Sequence, residues 1–167
     1  MSGRVIAVAL VPLAVVIAAV AVFLRLHFQP PTVPAYALSE VSGVPAAAGG
    51  GHDEVTLRPG STFELVARPA SPPAGIVGAK GFLLRSGDNR PWDAPYTAQA
   101  DGTIRIGGPV DSVFRNIPAG AWDVAVAVGR PETLPSMPGD VERREGDTSP
   151  EPAAFHVVHQ RVMLAAR

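Results

Sequence analysis

The fold class this sequence predicts is all-β: an antiparallel sandwich preceded by one N-terminal transmembrane helix. Three observations predict it. Val5 to Leu24 is an unbroken run of 20 residues without a charge or a polar side chain. Several later segments alternate apolar and polar residues with a period of two, the mark of half-buried strands. Finally, 17 glycines and 18 prolines make up about a fifth of the 167 residues, against roughly 12% in an ordinary chain. That density of breakers excludes long helical bundles and favours short strands with sharp turns.

Residues 1–28 read as the anchor. At 1.5 Å per residue a helix over 5–24 spans roughly 30 Å, the thickness of a bilayer's hydrocarbon core. Pro12 lies inside the run, where membrane helices tolerate it. The competing reading is a cleaved signal peptide, because Ala35-Tyr36-Ala37 has the small-x-small form of a cleavage site. The length of the run and the position of Arg25 favour a retained anchor. Arg4 precedes the run and Arg25 and His27 follow it, so the positive-inside bias is slight. The residues after Arg25 carry 12 basic and 15 acidic side chains, a net −3, and no polybasic stretch follows the run. The expectation is a single-pass protein of the cell membrane with its C-terminal domain extracytoplasmic.

Residues 29–53 read as a Pro/Gly/Ala-rich linker, with Pro30, Pro31, Pro34 and Pro45 followed by Ala46 to Gly51. Within it Tyr36 to Val41 offers a possible first strand. A β-sandwich domain is expected over 54–167. In Thr62 to Arg68, Phe63, Leu65 and Ala67 face one way and Glu64 and Arg68 the other. Ala79 to Arg85 is the next strand, ended by Ser86-Gly87-Asp88-Asn89. Thr103 to Ile106 alternates and follows Asp101-Gly102, a pair that joins hairpin strands. Trp122, Val124, Val126 and Val128 share the clearest inward face, and Phe155 to Leu164 is the last strand. Arg130 to Ala153, with five prolines, reads as a mobile loop between the last two strands. No amphipathic helix is expected outside the anchor.

One stretch resembles a known family. Asp101-Gly102-Thr103-Ile104-Arg105-Ile106, followed by Ile117-Pro118-Ala119-Gly120-Ala121-Trp122-Asp123-Val124, is similar to a signature of prealbumin-like sandwiches. Carboxypeptidase regulatory-like domains and collagen-binding B-type repeats carry that signature. The resemblance implies that Asp101 and Gly102 turn one strand into the next. It also implies that Pro118 and Gly120 place Trp122 at the start of a core strand. The layout of short N-terminus, apolar run, proline linker and one sandwich is loosely similar to bacterial envelope proteins associated with anti-sigma factors. Nothing before Arg4 could bind a sigma factor. Such domains are structural or binding modules, so the motif marks a fold rather than a reaction.

The chemistry-bearing residues are sparse. There is no cysteine, which excludes disulfides, thiolate metal sites, cysteine catalysis and a lipoprotein anchor. His156 and His159 are three apart on a predicted strand, point to opposite faces and cannot chelate one ion together. Ser42, Ser61, Ser71, Ser86, Ser112, Ser136 and Ser149 sit in predicted turns, outside any G-x-S-x-G elbow. Gly49-Gly50-Gly51 is not followed by the Lys-Ser/Thr of a phosphate loop. Arg143-Arg144 is flanked by Glu142 and Glu145, and the chain's net charge is −1, so nucleic acid is not an expected partner. No catalytic residue, metal ligand or cofactor is assigned. Trp122 is expected in the core. Trp92, in a loop between Pro91 and Pro95, either covers the core edge or contacts a partner, and it is the single candidate contact residue. The expected function is a non-catalytic binding or accessory module, held in the bilayer through residues 5–24 and facing a protein partner. The alternative is a sensing or regulatory domain of an envelope-stress or anti-sigma-type system.

Overall fold

A computed structural model describes residues 33–41, 44–45, 54–145 and 154–166. Residues 5–24, most of the 29–53 stretch, and His27, His52 and Gly49 to Gly51 lie outside them. Among the described residues no helix is long and apolar enough to cross a membrane.

Ten β elements follow one another: β1 (Tyr36–Val41), β2 (Val44–Pro45), β3 (Val55–Leu57), β4 (Thr62–Pro69) and β5 (Gly78–Leu84). Then come β6 (Arg90–Trp92), β7 (Tyr96–Ala98), β8 (Ile104–Pro109), β9 (Gly120–Gly129) and β10 (Phe155–Leu164). They form two five-stranded sheets, ordered β2-β1-β4-β8-β7 and β3-β10-β9-β5-β6. The pairings are antiparallel except that β3 runs parallel to β10, with Val55 opposite Val162 and Leu57 opposite Leu164. β9 and β10 pair along their whole length, from Gly129 opposite Phe155 to Gly120 opposite Leu164.

The two sheets face each other across one core. Phe63, Leu65 and Ala67 of β4 and Ile104 and Ile106 of β8 pack against Leu83 of β5 and Val124, Val126 and Val128 of β9. β10 adds Val158 and Val162. The period-two faces read from the sequence are those that point inward, because alternate side chains of a strand leave it on opposite sides. Trp122 is 2% exposed and heads that face, as expected. The stretch read as linker supplies a strand: β1 pairs with β4 from Tyr36 opposite Pro69 to Val41 opposite Leu65, with a bulge at Ser39. The compact unit accordingly begins at Thr32 rather than near residue 54.

The expected mobile loop requires correction over its first part. Pro131–Thr133 is a 3₁₀ turn and Pro138–Glu145 an α-helix, here α2, the four-residue turn Val110–Val113 being α1. Val141 is fully buried in a second cluster with Phe82, Leu84, Ala125, Ala127 and Phe155, on the outer face of the β9 sheet. Proline misled the sequence reading. It opens a helical turn without loss, since the first N–H groups of a helix have no partner anyway, and Pro131 and Pro138 both stand at such starts. Residues 146–153 lie outside the described residues.

Candidate functional site

For Trp92 the structure takes the core-edge alternative over the partner contact. Its backbone belongs to β6, paired Gly81 to Trp92 with β5, and its ring is 4% exposed. The indole stacks on Phe114 at 5.3 Å between centroids and meets the edge of Phe63 at 5.9 Å. Its Nε1–H donates to the carbonyl of Val113 at 2.7 Å. Gly81 makes this possible: a Cβ there would stand 2.5 Å from the ring. A ring so placed has no face left for a partner, and Trp92 is withdrawn as a contact residue. It ties the β6 edge of one sheet to β4 and α1 beside the other.

The opposite end of the tryptophan strand is clasped by charge. Arg85 lies 4.2 Å above the Trp122 ring, and Trp122 Nε1–H donates to Pro118 O at 2.9 Å. Asp88 accepts from Arg90 at 2.6 Å and from Arg85 at 3.0 Å. The hydrogen bonds from Arg90 hold its carboxyl below the usual carboxylate range, against a smaller opposing effect of desolvation. At the other end of the sandwich the Asp101-Gly102 turn joins β7 to β8. Asp101 accepts from Thr103 N at 2.9 Å and Thr103 Oγ1 at 3.0 Å, and Gly102 has φ +87°. Tyr36 donates its hydroxyl to Gly102 O at 3.0 Å from within the core. These charged groups serve the fold.

The two described histidines do not converge. On β10, His156 Nε2 lies 3.1 Å from Val33 O, and His159 Nδ1 lies 2.8 Å from Asp123 Oδ2 on the other face. Among the described residues no three His, Cys, Asp or Glu side chains stand close enough to hold a metal. Ser112 lies in α1 rather than in an open turn.

Among the described residues, one open concavity is a groove of about 470 Å³ along the lateral edge of the sandwich, where the chain crosses from β6 to β7. Ala79, Lys80 and Gly81 form one wall, Tyr96 and Ile106 the other, and the buried edge of Trp92 lies at its base. On this side β6 pairs with Gly81 to Leu83 of β5, and Gly78 beyond that pairing is buried against Tyr96, Leu134 and Pro131. Tyr96 is 45% exposed and also lines an adjoining depression of about 330 Å³ beside Phe63 and Arg105. The arrangement combines an exposed phenol at Tyr96 and a carboxylate at Asp93, while the Lys80 ammonium turns to the outer face over Phe82. Such a groove has room for side chains of a bound segment. Tyr96 escaped the sequence reading because a three-residue strand has no period, and exposure is set by what lies opposite.

No protein-family model and no curated protein matches the chain.

Proposed function

We propose that this chain is a single-pass membrane protein whose extracytoplasmic sandwich, immunoglobulin-like or prealbumin-like, is a non-catalytic binding or accessory module. One observation carries the anchored reading. The small-x-small site Ala35-Tyr36-Ala37 lies inside the folded unit, where Ala35 O accepts from Ala70 N at 2.8 Å and Tyr36 is buried. Cleavage after Ala37 would strip Val33 and Tyr36 from the core, which supports the retained anchor over cleavage at that site. The prealbumin-like resemblance is supported by the Asp101-Gly102 turn between β7 and β8 and by Gly120 opening the strand that buries Trp122. The binding half of the proposal is supported by the groove beside Tyr96, with a protein partner supplying an extended segment.

The test has two arms. A reporter active only outside the cytoplasm, fused to the C-terminus, is expected to work, and the full chain should stay in the membrane pellet after alkaline wash. A soluble product starting near Leu38, or a silent reporter on a stable fusion, would overturn the topology. For the groove, a photo-crosslinking residue at position 96 should give a discrete adduct in cells that the same residue at Ser86, in the distal β5–β6 turn, does not. Equal adducts at both positions would remove the groove as the binding site.

A further inference from the structure

β7 is an edge strand of its sheet, and half of its main-chain groups face away from that sheet. Gly107 N donates to Pro95 O at 3.2 Å and Gln99 N to Thr103 O at 2.9 Å, with Thr97 opposite Arg105 between them. Hydrogen-bonded and non-hydrogen-bonded pairs alternate along an antiparallel ladder, so residues 95, 97 and 99 turn their main-chain groups to β8. Tyr96 and Ala98 turn theirs outward, where no described residue donates or accepts. The other edge strands carry the usual guards against further pairing. β2 ends in Pro45, β3 lies between Glu54 and Arg58, and β6 contains Arg90 and Pro91. Around β7 such guards are missing. Residues 94–100, Ala-Pro-Tyr-Thr-Ala-Gln-Ala, hold no charge, the strand is exposed throughout, and the missing N–H of Pro95 falls on the β8 side.

We propose that β7 pairs with β7 of a second copy of this chain, antiparallel about a two-fold axis at Thr97, joining the two sheets edge to edge. The proposal rests on the reading of the rim beside Tyr96 as the binding surface, and it names the partner there. Three observations select a second copy. The register centred on Thr97 overlaps the whole of β7, with Tyr96 of each copy opposite Ala98 of the other, and each such pair exchanges two hydrogen bonds between the groups left outward. That register also sets a large side chain beside a small one. Tyr96 and Ala98 lie on the face of Ile106 and Ile104, so the phenol, 45% exposed, gains cover from a neighbour too small to displace it. The third observation is charge. Arg105, behind Thr97, is paired with Glu64 at 2.8 Å, and the edge itself is neutral, so two copies meet without unmatched like charges. A neutral edge offers a foreign strand no electrostatic selection, whereas it fits its own sequence at every position.

The chain has no cysteine, so a dimer linked through one introduced thiol reports one position. In cells making the full chain, Thr97→Cys is expected to give a disulfide-linked dimer under mild oxidation. Non-hydrogen-bonded partners stand about 4.5 Å apart at Cα, within bridging range. Gln99→Cys, whose counterpart is displaced by about 13 Å along the paired strand at 3.3 Å per residue, should bridge at least ten-fold less, as should Ser86→Cys in the turn after β5. Two changes at Ala98 test the edge itself in the Thr97→Cys background. Ala98→Pro removes an N–H that faces away from β8, and Ala98→Lys adds charge without altering the backbone; both should abolish the bridge. Equal bridging at 97, 99 and 86 is random collision and overturns the pairing, and so does a bridge at 97 that survives both edge variants. No bridge at 97, beside an adduct of a different protein with a photo-crosslinking residue at position 96, overturns self-pairing and leaves the groove reading standing. Neither bridge nor adduct removes both.

Discussion

Trp92 and Trp122 have become equivalent in kind. Both rings are buried, both donate an indole N–H to a backbone carbonyl, and both close one edge of the same core. Alanine at either position should cost about 3–5 kcal/mol in chemical denaturation, the usual range for a large aromatic removed from a core. Trp92→Phe keeps much of the stacking but leaves Val113 O without its donor, a loss of about 1–3 kcal/mol if no water replaces it. A second residue-level effect is pH dependence at the Tyr36–Asp101 turn. The backbone hydrogen bond from Thr103, aided by its hydroxyl, holds Asp101 below the ordinary 3.8. A depressed folded-state value contributes stability above the unfolded value, lost as pH falls through the folded one. Burial first, and the Asp101 charge second, raise Tyr36 above 10.0. That contribution is complete below pH 10 and is lost as pH rises through the folded value. Melting temperature should thus fall below about pH 4 and again above about pH 10. Asp101→Asn should flatten the acid limb and Tyr36→Phe the alkaline one, which melting curves across pH measure directly.

At the scale of elements, β1 and α2 decide where the domain begins and what covers its back. A fragment beginning at residue 54 loses β1, opens the outer edge of β4 and removes Tyr36 and Val41 from the core. It should melt well below a fragment beginning at Thr32 and associate through the exposed edge, visible as higher-order species in light scattering. Val141 sets the second comparison. It is a buried contact of α2 with the outer face of the β9 sheet, so Val141→Asp places a charge where Phe82 and Ala125 now pack. A cost of at least about 2 kcal/mol is expected from denaturation. If α2 were a free excursion, the same change would sit within the ±0.5 kcal/mol of ordinary surface substitutions.

For the whole molecule, one continuous core runs between the sheets, and residues from β1 to β10 enter it. The unit from Thr32 to the C-terminus should therefore unfold in a single cooperative transition. Circular dichroism and tryptophan fluorescence should trace one curve, since Trp92 and Trp122 report opposite regions of that core. Separate midpoints would show that the two sheets fail independently. With the interior filled, the groove beside Tyr96 is an open concave surface at the rim of the described residues.

By itself the sequence determined what is local. β4 and β9 match the segments read from it to within two residues at either end, because alternation states which side chains turn inward, while β1 was legible only as a possible strand inside the linker and β10 as a valine-rich run. Asp101-Gly102 announced its turn because glycine accepts positive φ without strain. The tertiary structure alone decided what depends on a distant neighbour. β3, β6 and β7 are three residues each, too short to show a period, and exist because a longer strand stands beside them. Trp92 is buried because Gly81, eleven residues earlier, has no side chain to keep it out. Segment 130–145 is docked because Phe82, Ala125 and Phe155 leave an apolar back face that Val141 can cover. Burial is a relation between residues brought together by the fold, and a one-dimensional pattern records only one side of it.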